Sequence, residues 1–372
     1  MSVKNNTTIK NVGAPYLERD ATGIIKGVAL VFMFVHHFFT IPSYYVDGIA
    51  YPYLEGFAVM FKEPFKICVA IFAFLTGYFY VFSEKRLRYS LRKSTDVWTS
   101  YFVFFLLLLI PAAALGCWDA SVKNFVLEAF GIINPTMTFC WYIDFYILSL
   151  LLLPLFHMAA KKHIIIAALA GVALPIGVTA AMTGYVHIPN ADIEKLVFNF
   201  LRWFPCIASG YIFARYELFE RCFDVLFKRH IKYKWLRVLI YIILMLITFV
   251  GRKYLYNISF NVSIFTFNFS LDFLLAPLFI YGLLNIINAV KHKKLLAPLS
   301  IIGKYSMGMW FLHCIFFNTC KEYTQILLFF PRNPILVLIW GLAICLAVSA
   351  AVMIPVRWLL KQKNKLFAKQ KS

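Results

Sequence analysis

Long apolar runs recur along the chain and are separated by short polar segments. A membrane-spanning helix needs about 20 mostly apolar residues. The runs that approach this length are residues 23–41, 65–83, 97–115, 139–157, 163–183, 196–214, 236–251, 269–289, 300–320 and 334–358. They lack the alternation of barrel strands, and only helices or closed barrels satisfy every backbone group in lipid. The pattern predicts an all-α integral membrane protein, a bundle of about ten transmembrane helices.

The loops between these runs carry lysine and arginine unevenly. If the N-terminus lies inside, most of the basic loop residues fall on the cytoplasmic side, as the positive-inside rule requires. We therefore predict that both termini are cytoplasmic. Lys62, Lys195 and Arg252 then belong to outer loops.

Three parts of the chain follow from this topology. Residues 1–22 form a cytoplasmic N-terminal tail, residues 23–358 form one multi-span domain, and residues 359–372 form a basic cytoplasmic tail. The last of these is expected to lie on the anionic inner leaflet of the membrane.

Composition excludes a soluble protein, because 62% of the residues are hydrophobic and only 15% are charged. The net charge of +20 would suggest nucleic acid in a soluble domain, but here the basic residues lie in loops between spans, so no nucleic-acid partner is expected. The eight cysteines show no CxxC pair and no metal-ligand spacing, so no metal site is predicted. We expect a multi-pass protein of a cell membrane, the inner or cytoplasmic membrane of a bacterium, with the lipid bilayer as its surroundings.

The first span contains three titratable residues, Lys26, His36 and His37. Such side chains are costly at bilayer depth, so their presence is a hypothesis of function. Lys26 and His37 are eleven residues apart, close to three helical turns, and should project from nearly the same face. His36 should point about 100° away from His37, toward a different neighbour.

Helical rise places further titratable residues at a similar depth. His37 should lie about 20 Å and His313 about 22 Å from the inner surface of a core about 30 Å thick, so the two are level. Asp144, Arg202 and Asp272 also fall in the outer third of their spans. We predict a polar chamber that opens outward, with a structural pair between Arg202 and one of the two aspartates as the alternative.

Four spans carry recognisable motifs. The first has Lys26, ten further residues and His37, the second reads CVAIFAFLTGYFYVFSEKRLR, the fourth CWYIDFYILSLLLLP and the ninth GKYSMGMWFLHCIFF, which includes His313. In this order the motifs resemble those of the acyltransferase 3 family, integral membrane O-acyltransferases of surface polysaccharides. The resemblance runs over essentially the whole chain.

The resemblance implies transfer of an acyl group, commonly acetyl from acetyl-CoA, onto hydroxyls of cell-surface carbohydrates. A histidine suits the removal of a hydroxyl proton, so we expect His37 to be the general base, with His313 as the second catalytic residue. Acyl-CoA acts as a co-substrate rather than a bound cofactor. Lys26 stands where the family usually has arginine, and with Arg88 and Arg92 it is expected to bind the CoA phosphates.

The carbohydrate acceptor is expected to contact the chamber lining. The residues assigned to it are His36, Trp141, Asp144, Arg202, Asp272 and Trp310. Ser306 and Thr76 are alternative nucleophiles, although small hydroxyl residues in spans are more often packing contacts. Two other functions stay open. One is a transporter or flippase for a lipid-linked glycan, and the other is an acyl-group feeder for a partner transferase.

Overall fold

The computed structural model describes residues 15–47, 54–118, 121–133, 137, 141–185, 188, 191–262, 265–317 and 320–369. Within these ranges the chain is mostly helical. The helices are α1 (Arg19–Phe39), α2 (Leu54–Phe65), α3 (Ile67–Tyr80), α4 (Arg86–Ala114), α5 (Val122–Ala129), α6 (Trp141–Ala160), α7 (Ile164–Ala168), α8 (Leu174–Tyr185), α9 (Ala191–Arg215), α10 (Lys234–Leu255), α11 (Asp272–Ala289), α12 (Ala297–His313), α13 (Lys321–Phe329) and α14 (Pro334–Lys369).

Two π-helical and three 3₁₀ segments lie between these helices. The π-helical segments are Leu169–Ala173 and Phe219–Arg229, and the 3₁₀ segments are Pro42–Tyr44, Lys293–Leu296 and Cys314–Phe316. The first π segment joins α7 to α8, so these three elements form one continuous span.

Nine helical segments of the described chain are long and apolar enough to cross a membrane. They comprise α1, α4, α6, α7 with α8, α9, α10, α11, α12 and α14. The predicted second run, 65–83, contains α3, which has only 14 residues. Lys66 separates α3 from α2. A multi-pass, all-α membrane protein is thus confirmed, whereas the tenth span and the cytoplasmic termini stay predictions.

The described chain departs from the predicted spans in two places. After α10, strands β1 (Ile258–Val262) and β2 (Phe265–Phe269) form an antiparallel hairpin in a region predicted as an outer loop. The last helix continues to Lys369, so most of the predicted basic tail extends α14. Residues 1–14 of the predicted N-terminal tail lie outside the described residues.

Helices α1 and α12 pack in parallel with their backbones in contact. A Cβ on Gly27 would overlap the Leu299 carbonyl oxygen, and a Cβ on Gly303 would overlap the Gly23 carbonyl oxygen. Small residues permit such close approach between membrane helices. His37 follows Gly27 by ten residues and His313 follows Gly303 by ten, a rise of about 15 Å on each helix. The shared register brings the two histidines to one level.

Helix α3 packs along α9 in the same way. A Cβ on Gly77 would overlap the Ile207 carbonyl oxygen, and a Cβ on Gly210 would overlap that of Phe74. Helices α1, α3, α9, α11 and α12 form the interior, whereas α10 and α14 are largely exposed along their apolar faces. In a membrane these exposed faces contact lipid.

Candidate functional site

Two histidines from separate spans form a direct pair. His37 Nδ1 lies 2.8 Å from His313 Nε2. Their rings are nearly parallel, at 6°, with centroids 4.8 Å apart. His313 is fully buried and His37 is partly exposed. The expectation that the two residues lie level is confirmed by this contact.

Backbone contacts determine which nitrogens carry protons. His313 Nδ1 bonds to the carbonyl oxygen of Trp310, one helical turn earlier. A carbonyl oxygen only accepts, so His313 Nδ1 donates, and in the neutral ring Nε2 is then an acceptor. His37 Nδ1 therefore donates to His313, which leaves Nε2 of His37 as its proton-accepting nitrogen.

His37 lines a cavity of about 310 Å³, which we call the His37 cavity. It lies among α1, α2, α3, α6, α9 and α12. The members that bear on its chemistry are His36, His37, Lys62, Lys66, Trp141, Lys195, Arg202 and Trp310. Four of the predicted acceptor-side residues, His36, Trp141, Arg202 and Trp310, are therefore brought together here.

A second cavity, of about 320 Å³, contains Lys26 and is called the Lys26 cavity. Its wall includes Lys93, Tyr146 and Ser306, in addition to many apolar side chains. Trp310 lines this cavity as well, so its indole borders both. The ring is held against Tyr142, with ring centroids 4.7 Å apart, and against Phe72 at 5.4 Å.

Lys26 shares its cavity with Lys93 rather than with the predicted arginines. Lys26 is half-buried, whereas Arg88 and Arg92 are exposed on α4 and do not line the cavity. Arg92 instead lies 4.0 Å from the Asp96 carboxylate. Lys93 belongs to the same basic run of the sequence and is also exposed, but the turn of α4 places it at the cavity.

His36 is hydrogen-bonded to Thr40, at the C-terminal end of its helix, and to the backbone of Lys62 on α2. Thr40 Oγ1 donates to the His36 carbonyl oxygen at 2.6 Å and lies 3.1 Å from His36 Nδ1. The His36 and His37 ring centroids are 5.0 Å apart. His36 is buried and shapes the cavity wall beside His37.

The alternative to the polar chamber, a structural pair between Arg202 and one of the two aspartates, is not formed among the described residues. Asp272 instead accepts two hydrogen bonds from Arg252, at 2.6 Å from Nε and 2.8 Å from Nη2. Both side chains are buried, so Arg252 is not the outer-loop residue that the sequence predicted. Arg202 Nη2 donates to the Tyr256 carbonyl oxygen at 3.3 Å, because Asp272 on α11 is already bound to Arg252.

Neither predicted aspartate lines the His37 cavity. Asp272 is bound to Arg252, and Asp144 lies against the Gly131 turn, where a Cβ on the glycine would be 2.5 Å from its Oδ1. The prediction that all five titratable residues share one chamber is therefore wrong for these two and for His313, which contacts His37 but does not line the cavity. In the described chain, no group of three or more His, Cys, Asp or Glu side chains could hold a metal ion.

Three lysines of this cavity were not among the predicted site residues. Lys62 and Lys195 were assigned to outer loops, and Lys66 was not singled out. The signal for Lys66 was present, because it falls inside the predicted second span, where a charge is costly. Lys62 precedes it by four residues, one helical turn earlier.

Comparison with known proteins gives one match. A family model described as an acyltransferase domain, of the acyltransferase 3 type, matches residues 21–354. No curated protein and no solved structure matches the chain. The matched range includes His37, His313 and both cavities.

Proposed function

The chain belongs to the acyltransferase 3 family, and from this premise we propose that it moves an acyl group from cytoplasmic acyl-CoA to a hydroxyl of an extracytoplasmic or lipid-linked polysaccharide. Acetyl is the group expected. The proposal includes ten spans, cytoplasmic termini and residence in a bacterial cell membrane. It rests most heavily on one observation, the histidine pair beside a tryptophan that borders two cavities.

The two cavities suit the two substrates. Under the proposed topology, Lys26 lies toward the cytoplasmic end of α1 and His37 toward the outer end. Acyl-CoA would enter the Lys26 cavity and the polysaccharide hydroxyl would enter the His37 cavity. Because Trp310 borders both, the thioester and the hydroxyl would meet beside it.

Donor recognition is assigned to the two lysines of the Lys26 cavity. Lys26 and Lys93 have no ion pair with a described residue, and no carboxylate lines the cavity with them. Two cations in this position suit the phosphates of CoA, which form charge-assisted hydrogen bonds with ammonium groups. The mostly apolar wall beyond them suits the pantetheine arm.

His37 supplies the base for the transfer. Its Nε2 takes the hydroxyl proton while the hydroxyl oxygen attacks the thioester carbonyl carbon, forming the new C–O bond. The C–S bond then breaks, and the leaving CoA sulfur receives the proton from His37. His313 accepts the His37 Nδ1 hydrogen throughout, which orients the imidazole and stabilises its charged form, as the third group of a catalytic triad does.

Reconstitution distinguishes this proposal from its alternatives. Purified protein in proteoliposomes is given acetyl-CoA labelled in the acetyl group together with extracted surface glycan. The expected product is label on the glycan as an alkali-labile ester, formed by the wild-type protein and not by the matched His37→Gln protein.

Two other results would each favour an alternative. Movement of a lipid-linked glycan across the membrane, with no ester formed by either protein, would indicate a flippase. Label that reaches glycan only after a second transferase is added would indicate an acyl-group feeder.

A further inference from the structure

The His37 cavity is strongly basic. Lys62, Lys66, Lys195 and Arg202 all line it, and no aspartate or glutamate does. Lys62 and Lys195 are exposed, whereas Lys66 and Arg202 are half-buried deeper in the protein. The cations thus extend from the rim of the cavity to its interior, beside His37.

None of these four cations is neutralised by the described protein. The ion pairs of the described residues include none of them. The nearby carboxylates are engaged elsewhere, since Glu63 and Asp272 both pair with Arg252.

Arg202 also keeps an unused donor. Its Nε is buried without a hydrogen-bond partner among the described residues, while its Nη2 donates to Tyr256 and its guanidinium lies 5.6 Å from the Trp203 ring centroid. Buried polar groups are rarely left unsatisfied, and charged groups in membrane spans usually have partners. Four cations that line one cavity, with no carboxylate among its lining residues, indicate a ligand with negative oxygens.

We propose that the acceptor is anionic, a glycan that carries a carboxylate or a phosphate close to the hydroxyl that is acylated. This inference rests on the proposed function and specifies its substrate class. Lys62 and Lys195 attract the acceptor at the rim, and Lys66 and Arg202 bind its negative group inside the cavity. With that group bound, the neighbouring hydroxyl is positioned at His37. A neutral sugar can also accept hydrogen bonds from these cations, but it brings no opposite charge, so its binding is weaker.

The test uses acceptors matched in all but charge. Reconstituted protein receives acetyl-CoA and either a glucuronate-containing oligosaccharide or its carboxyl-reduced, neutral form. A second arm compares a glycosyl phosphate of a lipid alcohol with the neutral alkyl glycoside of the same sugar. We expect kcat/KM to favour the charged member of at least one pair by tenfold or more, and the arm that shows the preference identifies the anion.

Cavity variants provide the internal control. Lys66→Gln and Arg202→Gln should each lower kcat/KM for the charged acceptor by about tenfold, mainly through KM, and should lower it much less for the neutral acceptor. Lys66→Arg should retain the preference. Lys123→Gln, which removes an exposed lysine on α5 outside the cavity, should leave kcat/KM unchanged for both acceptors.

The outcomes separate the two proposals. Equal use of charged and neutral acceptors in both arms would overturn the anionic acceptor and leave the acyltransferase proposal intact. If both Lys66→Gln and Arg202→Gln keep the preference for the charged acceptor, the anion binds outside the His37 cavity. That result would overturn the inference as well. Bound acetyl-CoA with no transfer to any acceptor would overturn the proposed function itself, and this inference with it.

Discussion

His37 on α1 and His313 on α12 are joined by a 2.8 Å contact between Nδ1 and Nε2. The contact exists because α1 and α12 approach at backbone distance through Gly27 and Gly303, each ten residues before its histidine. A side chain at either glycine would separate the helices before the histidines could meet. The pair is therefore a product of helix packing far from the rings themselves.

The first prediction concerns His37. His37→Ala should leave the protein inserted and folded and lower acetyl transfer by about 10²-fold or more, the usual effect of losing a general base. His37→Gln keeps size and hydrogen bonding but cannot accept the hydroxyl proton, so it should be as defective. Transfer of labelled acetyl to glycan measures both. Wild-type rates in the glutamine protein would indicate a structural histidine.

His36 is the matched control for that experiment. Its ring bonds to Thr40, the residue that follows α1, so His36→Gln should reduce transfer much less than His37→Gln. His313→Gln should lower kcat while leaving KM for acetyl-CoA unchanged, because His313 acts by orienting His37.

A second prediction concerns donor binding. Lys26→Ala and Lys93→Ala should each weaken acetyl-CoA binding by about tenfold, because each removes a cation from the same cavity. Lys26→Arg should retain most binding, since charge matters more than shape at a phosphate. Equilibrium binding of labelled acetyl-CoA to the purified protein measures these changes. Arg88→Ala is the control, and an equal loss there would place the phosphates on the exposed face of α4.

The third prediction concerns Trp310. Replacing the indole with Trp310→Ala should join the two cavities and admit water to the thioester. We expect faster release of free CoA in the absence of glycan, together with slower transfer when glycan is present. Trp310→Phe keeps an aromatic ring against Tyr142 and should behave nearly as wild type. Unchanged CoA release in the alanine protein would show that the indole does not separate the cavities.

The fourth prediction concerns stability. Asp272→Ala leaves Arg252 buried without its bidentate partner, which should cost about 3–5 kcal/mol. Thermal unfolding in detergent measures the loss. The double variant Arg252→Met with Asp272→Leu removes both charges and should recover most of the lost stability. If the double variant were no more stable than Asp272→Ala, the pair would have a role beyond mutual neutralisation.

The fifth prediction concerns topology. In a protein without other reactive cysteines, a cysteine at position 88 should react with an impermeant maleimide only after the membrane is opened. A cysteine at position 123 should react in intact cells, since Lys123 lies in a segment predicted to face outward. Labelling of position 88 from outside would reverse the predicted orientation.

The sequence by itself determined the multi-pass helical architecture, the family and the level of the two histidines. The family follows from four motifs in their order along the chain, whereas the architecture and the depth of a residue depend on one helix at a time. An apolar run of sufficient length forms a membrane helix whatever its neighbours are, and a rise of about 1.5 Å per residue then fixes the depth of every side chain. Lys26 and His37 were identified in this way, from a single span.

Only the tertiary structure decided which charges meet. The sequence places two aspartates at a depth where Arg202 could pair with either of them. The packing of α10 against α11 instead pairs Asp272 with Arg252. Likewise Lys62, Lys66 and Lys195 became the lining of one cavity because α2, α3 and α9 converge there. The depth of a residue does not say which way its helix is rotated or which helix packs against it. Close contacts between helices, such as those at Gly27, set both, and no single segment of the chain specifies such contacts.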